Sequence, residues 1–354
     1  MSAPELRIDQ LTGLRAILAP GRAERPDNFE APKSEPKGPE NCPFCEGHEG
    51  RTPAEVYATR PGSGEPDTPG WTTRVVPNLY PALAEEGETD GGAGSATTAG
   101  EAGSFASAGD PLLESRRAGE ADLFASRPAI GAHEVVVNAP EHVTAMAELS
   151  EEQLGAAVET WRERVRAHSG AAYVQLIVNE GGGAGASLEH THAQLYALPF
   201  VPAAVARERE RAGAYAERTG GAGLLSDVLV EEVRRRERLV AIDDEAALIC
   251  PWASRSPFEL RIVPRREAAR FEEDTVGAAM LHTALRALAQ RFGHPPELNL
   301  WVRTAPRGAE RFHWYIDIAP RLTVKAAFEL ATGVDINVYP PERAAGDLRE
   351  SLPG

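Results

Sequence analysis

The sequence predicts an α+β fold made of two similar halves, each with one helix packed on an antiparallel sheet. The order strand, helix, strand, strand occurs twice along the chain, which indicates a duplication. The two copies have similar spans, because 58 positions separate residues 134 and 192 and 57 separate residues 258 and 315. The first predicted helix has apolar residues at helical spacing, namely Leu154, Val158, Trp161 and Val165.

Local patterns define the elements of the first half. A capping box formed by Ser150 and Gln153 marks the start of the helix. The valine-rich run that precedes this helix is typical of a buried strand. The predicted elements are a strand from Glu134 to Val137, a helix from Glu151 to His168, a strand from Tyr173 to Val178, and a strand that carries His190 and His192.

The second half repeats this order and lacks the histidine pair. Its predicted elements are a strand from Phe258 to Val263, a helix from Asp274 to Arg291, a strand from Leu298 to Val302, and a strand from His313 to Ile318. The similar spans align His192 with Tyr315. We therefore expect a functional half at 1–200 and a degenerate repeat at 201–354 that completes the pocket of the first.

One segment of the first half does not resemble folded protein. Residues 85–120 are mainly Gly, Ala, Ser, Thr and Glu, with few large apolar side chains. Such a segment cannot bury enough surface to offset its conformational entropy. We expect a disordered surface insert there.

Composition limits the partners of the chain. It has 354 residues, a hydrophobic content of 42% and a net charge of -16, which fits a folded protein that nucleic acid or an anionic membrane would repel. Only three cysteines are present and no apolar run approaches eighteen residues, so we expect a cytoplasmic protein. Its valine-rich strands would permit a homodimer.

The segment around the histidine pair is the most informative part of the chain. Alternation along a strand places His190, His192 and Gln194 on one face. The preceding residues 179–187 form a glycine-rich loop whose backbone amides could cradle phosphate oxygens. A histidine pair beside such a loop suggests nucleotidyl transfer.

A second motif, Cys42-Pro-Phe-Cys45, has the spacing of two ligands to one tetrahedral metal. The best placed histidines to complete such a site are His190 and His133. A Cys2His2 zinc site is closed and leaves no open position for a bound water. We expect this zinc to fix the geometry of the strand that carries His192 and to do no chemistry itself.

With these motifs in place, the chain resembles the galactose-1-phosphate uridylyltransferase family of the histidine triad superfamily. The resemblance implies a duplicated histidine-triad-like fold. The blocks that carry it occur in the family's order and are Arg22 to Pro26, Cys42 to Cys45, Asn78 to Leu83, Gly131 to Glu134, Asn179 to Gln194, His313 to Pro320, and Phe328 with Glu329.

The resemblance also implies roles for individual residues. His192 would attack the alpha phosphorus of a sugar nucleotide and form a covalent nucleotidyl-histidine, which a second phosphorylated substrate would then resolve. Gln194 would donate to phosphate oxygens. The other implied contacts are Ser187 and the loop amides up to Gly185 with phosphate, Asn78 and Asn179 with the nucleotide, Arg22 or Arg25 with phosphate, and Glu329 with hexose hydroxyls.

The first function, and the one we expect, is exchange of UMP between UDP-glucose and a hexose 1-phosphate; two alternatives remain open. The family usually has His-Pro-His where this chain has Thr191 between the histidines, a substitution also expected in relatives that use adenine nucleotides. The second is therefore an ADP-glucose or dinucleoside polyphosphate phosphorylase, and the third is a non-catalytic, zinc-stabilised nucleotide-binding protein.

Two further departures from the family bear on the site. Glu180 stands where some members have a basic residue, and it would repel a phosphate unless it points away. Some relatives carry a second metal, for which Glu208, His313 and Asp317 are the candidate ligands. We do not expect that metal here, because no second CxxC motif or histidine cluster follows.

Overall fold

The computed structural model describes residues 4–24, 38–84 and 129–352. The predicted insert at 85–120 and Arg25 lie outside these residues. The strands are β1 (Glu5–Ile8), β2 (Arg15–Leu18), β3 (Tyr57–Thr59), β4 (Thr73–Pro77), β5 (Ala132–Val137), β6 (Tyr173–Glu180), β7 (His192–Leu198), β8 (Leu239–Ile242), β9 (Ala246–Ile249), β10 (Leu260–Pro264), β11 (Leu298–Arg303), β12 (Tyr315–Pro320) and β13 (Asp335–Asn337). The helices are α1 (Glu151–Ala167), α2 (Ala203–Thr219), α3 (Leu224–Arg235), α4 (Ala278–Phe292), α5 (Ala327–Thr332) and α6 (Pro341–Glu350).

The predicted α+β fold with two similar halves is confirmed. Each predicted element is present with small shifts at its ends, and Ser150 and Gln153 form the capping box of α1. One correction concerns the histidine strand, because β7 begins at His192 and His190 lies before it. His192 and Gln194 still share a face of β7, opposite Val137 and Val135 of β5.

Within the described residues, one antiparallel sheet of ten strands runs through both halves. Its order is β3-β4-β5-β7-β6-β11-β12-β10-β9-β8. The halves join where β6 pairs with β11, with Ile177 opposite Trp301. Ile177 is also opposite Gln194, and Trp301 is opposite Asp317, so equivalent residues of the two halves meet at this seam.

The two faces of the sheet differ in character. One face packs beneath α1 and α4, and the core there includes Ala193 and Leu195 from β7 and Trp161 from α1. Because strand residues alternate, the neighbouring positions of β7 point to the opposite face. That face carries His192 and Gln194.

Other elements are less visible in the sequence. In the described residues, β1, β2 and β13 form a separate small sheet in which Ala16 of β2 pairs in parallel with Asp335 of β13. These strands have three or four residues each, too few for a clear alternation. No helix among the described residues combines the length and apolar character needed to cross a membrane.

The buried face of β7 yields a stability prediction. Leu195 is fully buried in the core, whereas Leu330 of α5 is 74% exposed. We expect Leu195→Ala to lower the free energy of unfolding by about 2–5 kcal/mol, because it leaves a cavity. The matched control Leu330→Ala should change it by less than about 0.5 kcal/mol. Urea denaturation measures both, and equal effects would contradict the packing described for β7.

Candidate active site and metal centre

Two cysteines and two histidines from separate segments meet at one point. Cys42 Sγ lies 3.5 Å from His190 Nδ1, and Cys45 Sγ lies 3.3 Å from His142 Nδ1 and 3.6 Å from His190 Nδ1. Bond lengths of a tetrahedral zinc site place sulfur and nitrogen ligands about 3.6 Å apart. All four ligand atoms lie within 4.8 Å of one another, so this group could hold a metal ion.

The surroundings of His190 prepare it for this role. Its Nε2–H donates to the carbonyl oxygen of Ala139 at 2.8 Å, which leaves the lone pair on Nδ1 facing the cysteines. Burial lowers the pKa of His190 to about 4, so the ring is neutral near pH 7. Burial and the adjacent Cys42 raise the pKa of Cys45 to about 12. A bound cation would lower the pKa of this thiol again, because it stabilises the thiolate.

The structure brings His142, and not the predicted His133, together with the two cysteines and His190. In the antiparallel β5–β7 pair, His133 lies opposite Tyr196. Tyr196 is six residues after His190, a distance of up to about 20 Å along an extended chain. The end of β5 lies opposite His192, so the loop after β5 reaches His190. A histidine just beyond the C-terminal end of β5 was therefore the signal to look for, and His142 lies five residues past it.

A hydrogen bond to its own segment fixes the tautomer of His192. Its Nδ1–H donates to the carbonyl oxygen of His190 at 2.7 Å, and because a carbonyl can only accept, the lone pair of the neutral ring is on Nε2. Burial lowers the pKa of His192, which keeps the ring neutral near pH 7. Phe44, between the two cysteines, packs against this ring with 5.2 Å between centroids.

The glycine-rich loop connects β6 to this histidine segment. Gly181 and Gly185 adopt φ values of 85° and 89°, which favour glycine. Asn299 of β11 donates to Asn179 Oδ1 and to the carbonyl of Ala184, both at 2.8 Å. The second half therefore anchors the loop. Among the amides predicted to cradle phosphate, those of Ala184 and Gly185 donate to carbonyls within the loop, and that of Gly183 donates to a carboxylate.

Two carboxylates near the loop have different roles. Glu297 Oε2 accepts from the Gly183 amide at 2.9 Å, so a phosphate would have to displace it there. Glu180 points away from the loop and is buried, accepting from the Met146 amide at 2.6 Å and from Thr191 Oγ1 at 3.0 Å. Glu180 therefore would not repel a phosphate bound at the loop. Burial raises the pKa of Glu180 to about 7.

Thr191 connects Glu180 to the rest of the structure. Its Oγ1 accepts from Asn138 Nδ2 at 3.1 Å, and Asn138 Oδ1 accepts from Trp161 Nε1 at 3.0 Å. The backbone of Thr191 is held as well, because its amide donates to Val143 and its carbonyl accepts from Asn138. These hydrogen bonds tie the segment between the two histidines to α1, β5 and β6.

The remaining predicted residues divide into two groups. Asn78 lies beside His133, with 3.1 Å between its Nδ2 and the ring Nε2, so it reaches the Gln194 side of the site. Arg22 and Ser187 are exposed, and the Glu329 carboxylate accepts from the Ala326 amide at the start of α5. Within the described residues, no hydrogen bond or ion pair joins these three to His192 or Gln194.

Each candidate ligand for a second metal has a different partner in the structure. Asp317 forms a two-point ion pair with Arg261 at 2.6 and 2.9 Å. Glu208 accepts from the hydroxyl of Tyr315 at 3.0 Å and lies 3.2 Å from Arg303. His313 Nδ1 lies 3.2 Å from Ser226 Oγ. Arginine guanidinium groups therefore supply the positive charge beside both carboxylates.

Comparisons with known proteins agree with this geometry. The family model of the N-terminal domain of galactose-1-phosphate uridyl transferase matches residues 105–202. ADP-glucose phosphorylase from Arabidopsis thaliana is 30% identical, over 98% of this chain and 93% of that protein. A galactose-1-phosphate uridylyltransferase from Cryptococcus neoformans is 26% identical, over 98% of this chain and 90% of that enzyme. The crystal structure of the Arabidopsis phosphorylase with bound ADP-glucose superposes with a TM-score of 0.75, at 26% identity over 99% of each chain.

The ligand assignment can be tested with a matched pair of histidine variants. We expect His142→Ala to lose most of the bound metal and to unfold at a lower temperature, because metal binding is coupled to folding. His133→Ala should retain its metal. Elemental analysis of the purified proteins measures the metal-to-protein ratio, and metal loss in His133→Ala alone would restore the original assignment.

The raised pKa of Glu180 gives a pH prediction. The ordinary pKa of a glutamate is 4.5, and that of Glu180 in the folded protein is about 7. Between these two pH values, the folded protein holds a proton at Glu180 that the unfolded chain has released. Stability contributed by this group is therefore lost as pH rises through that window, by up to about 3 kcal/mol. Glu180→Gln should remove this dependence, and Glu350→Gln, at an exposed position, should not. Urea denaturation at pH 5 and pH 8 measures it, and an unchanged slope in Glu180→Gln would contradict the burial of a protonated carboxyl.

Proposed function

Because the chain belongs to the family of galactose-1-phosphate uridylyltransferases and ADP-glucose phosphorylase, we propose that it transfers a nucleotidyl group through a covalent intermediate on His192. The observation that carries this proposal is the hydrogen bond from His192 Nδ1 to the His190 carbonyl. It leaves the Nε2 lone pair available for attack on phosphorus. The lowered pKa of the ring keeps that lone pair unprotonated near neutral pH.

The reaction then proceeds in two displacements. His192 Nε2 attacks the alpha phosphorus of a sugar nucleotide, the bond to the bridging oxygen breaks, and the sugar phosphate leaves with both bonding electrons. A phosphate acceptor next attacks the same phosphorus and releases His192. Gln194 donates N–H groups to the phosphate oxygens, which carry negative charge throughout.

We favour ADP-glucose as the donor and inorganic phosphate as the acceptor. The similarity to ADP-glucose phosphorylase extends over 98% of this chain, and Thr191 occupies the position where a proline is typical of uridylyltransferases. Exchange of UMP between UDP-glucose and a hexose 1-phosphate is the second candidate. It is supported by the similarity to the Cryptococcus uridylyltransferase over 98% of this chain.

We propose zinc as the metal at Cys42, Cys45, His142 and His190. Two thiolates and two neutral imidazoles are ligands that zinc prefers, and four protein ligands complete a tetrahedron. When bound, zinc would hold the Cys42–Cys45 loop, and with it Phe44, against the ring of His192. The chain's own residues would carry out the transfer.

The other predicted residues retain their proposed roles. The second half, at 201–354, would support the first as a degenerate repeat, and Asn299 is its contribution to the loop. Tyr315 at the His192 position donates to Glu208, and burial raises its pKa strongly, so we assign it no nucleophilic role. The proposed substrate contacts are Asn78 and Asn179 with the nucleotide, Gly185, Ser187 and Arg22 or Arg25 with phosphate, and Glu329 with sugar.

Intact-protein mass spectrometry tests the covalent step directly. The protein is incubated briefly with ADP-glucose, and separately with UDP-glucose, without an acceptor. We expect an acid-labile mass gain equal to AMP with the first donor. His192→Gly should form no adduct while retaining its metal and fold, and the matched control His294→Gly, in a turn after α4, should still form it.

Each outcome separates the candidate functions. A gain equal to UMP only would favour the uridylyltransferase. An adduct that persists in His192→Gly would remove this residue from the nucleophile role. Nucleotide binding without an adduct from either donor would support the non-catalytic alternative.

A further inference from the structure

We propose that His133 is a positioning residue that fixes the side-chain amide of Gln194, so that its NH2 group is presented to the phosphate of the substrate. This inference rests on the proposed function, in which Gln194 donates to phosphate oxygens. It assigns a role to a buried histidine that the metal cluster leaves unused.

The neighbours of the His133 ring fix which nitrogen carries its proton. The backbone amide of Ala82 lies 3.1 Å from His133 Nδ1, and a backbone N–H can only donate. Nδ1 is therefore the acceptor. Burial lowers the pKa of His133, so the ring is neutral and its single proton is on Nε2.

Two donors fix the orientation of the Gln194 side-chain amide. His133 Nε2 lies 3.0 Å from the Gln194 side-chain oxygen, and the hydroxyl of Tyr196 lies 3.0 Å from the same atom. Both groups donate to this oxygen. The opposite orientation of the amide would place its NH2 group against the N–H of His133 and lose an acceptor for it.

The ring itself is held in place by its neighbours. His133 stacks on Tyr196 with 4.0 Å between ring centroids and an angle of 24° between planes. Asn78 Nδ2 lies 3.1 Å from Nε2, but an amide N–H cannot donate to a nitrogen that carries a proton. Asn78 therefore does not compete with Gln194 for the ring.

The orientation matters because phosphate oxygens only accept. With Oε1 directed at His133 and Tyr196, the NH2 group of Gln194 has no partner within the described residues. It faces the polar side of the sheet, where His192 lies two residues earlier on the same strand. The reversed amide would direct oxygen lone pairs at the phosphate and oppose the reaction.

A double-mutant cycle tests whether His133 acts through Gln194. His133→Ala should slow formation of the nucleotidyl-enzyme in a single turnover by about tenfold, the scale of one lost interaction in the transition state. In the Gln194→Ala background, the same substitution should have little further effect, because the group it orients is absent. His133→Gln, whose side-chain N–H can reach Gln194, should recover part of the rate.

Two controls distinguish this role from a general loss of structure. Metal content and unfolding temperature are measured for every variant, since a structural role would lower the rate equally in both backgrounds. Tyr196→Phe removes the second donor and should have a smaller effect that also disappears in Gln194→Ala. Equal rate losses with and without Gln194, or a His133→Ala rate equal to that of the native protein, would overturn the inference. If the native protein forms no adduct, the proposed function itself fails.

Discussion

The alternation of side chains along β7 is the constraint on which the rest of the site depends. Ala193 and Leu195 are buried against the helices, and this burial fixes the register of the strand. His192 and Gln194 must then point to the opposite face together. A shift of one residue would turn both polar groups toward the helices and the apolar ones toward the opposite face. The packing of the core and the position of His192 and Gln194 therefore depend on the same register.

The sequence predicted what is local or periodic. Three predicted features depend on residues a few positions apart, and all are present. They are the capping box at Ser150, the helical spacing in α1, and the shared face of His192 and Gln194 on β7. The fourth metal ligand depends on which ends of β5 and β7 are adjacent. Without that register, the sequence favoured His133, which opens an apolar strand, over His142.

A polar network buried beneath the histidine pair shows how this chain accommodates Thr191. Trp161 donates to Asn138, Asn138 donates to Thr191, and Thr191 donates to Glu180. Every donor in this series has one acceptor, so the series has a direction that ends at the carboxyl group. Proline at position 191 would remove the hydroxyl and interrupt it. Glu180 and Thr191 therefore act as a pair. The Glu180 carboxyl, which the sequence placed beside a phosphate, instead accepts a hydrogen bond from the residue directly before β7.

The small sheet formed by β2 and β13 has a consequence for the kinetics of folding. Ala16 and Asp335 are 319 positions apart in the chain, yet they are neighbours in a parallel pair. Closing so large a loop is entropically costly until the intervening sheet has formed, so this contact belongs to a late stage of folding. Arg22 lies four residues after the end of β2. Its amide donates to the carbonyl of Ala19, and the Ala19 amide donates to the carbonyl of Asn337 in β13. The position of this arginine is therefore set only after both halves have folded.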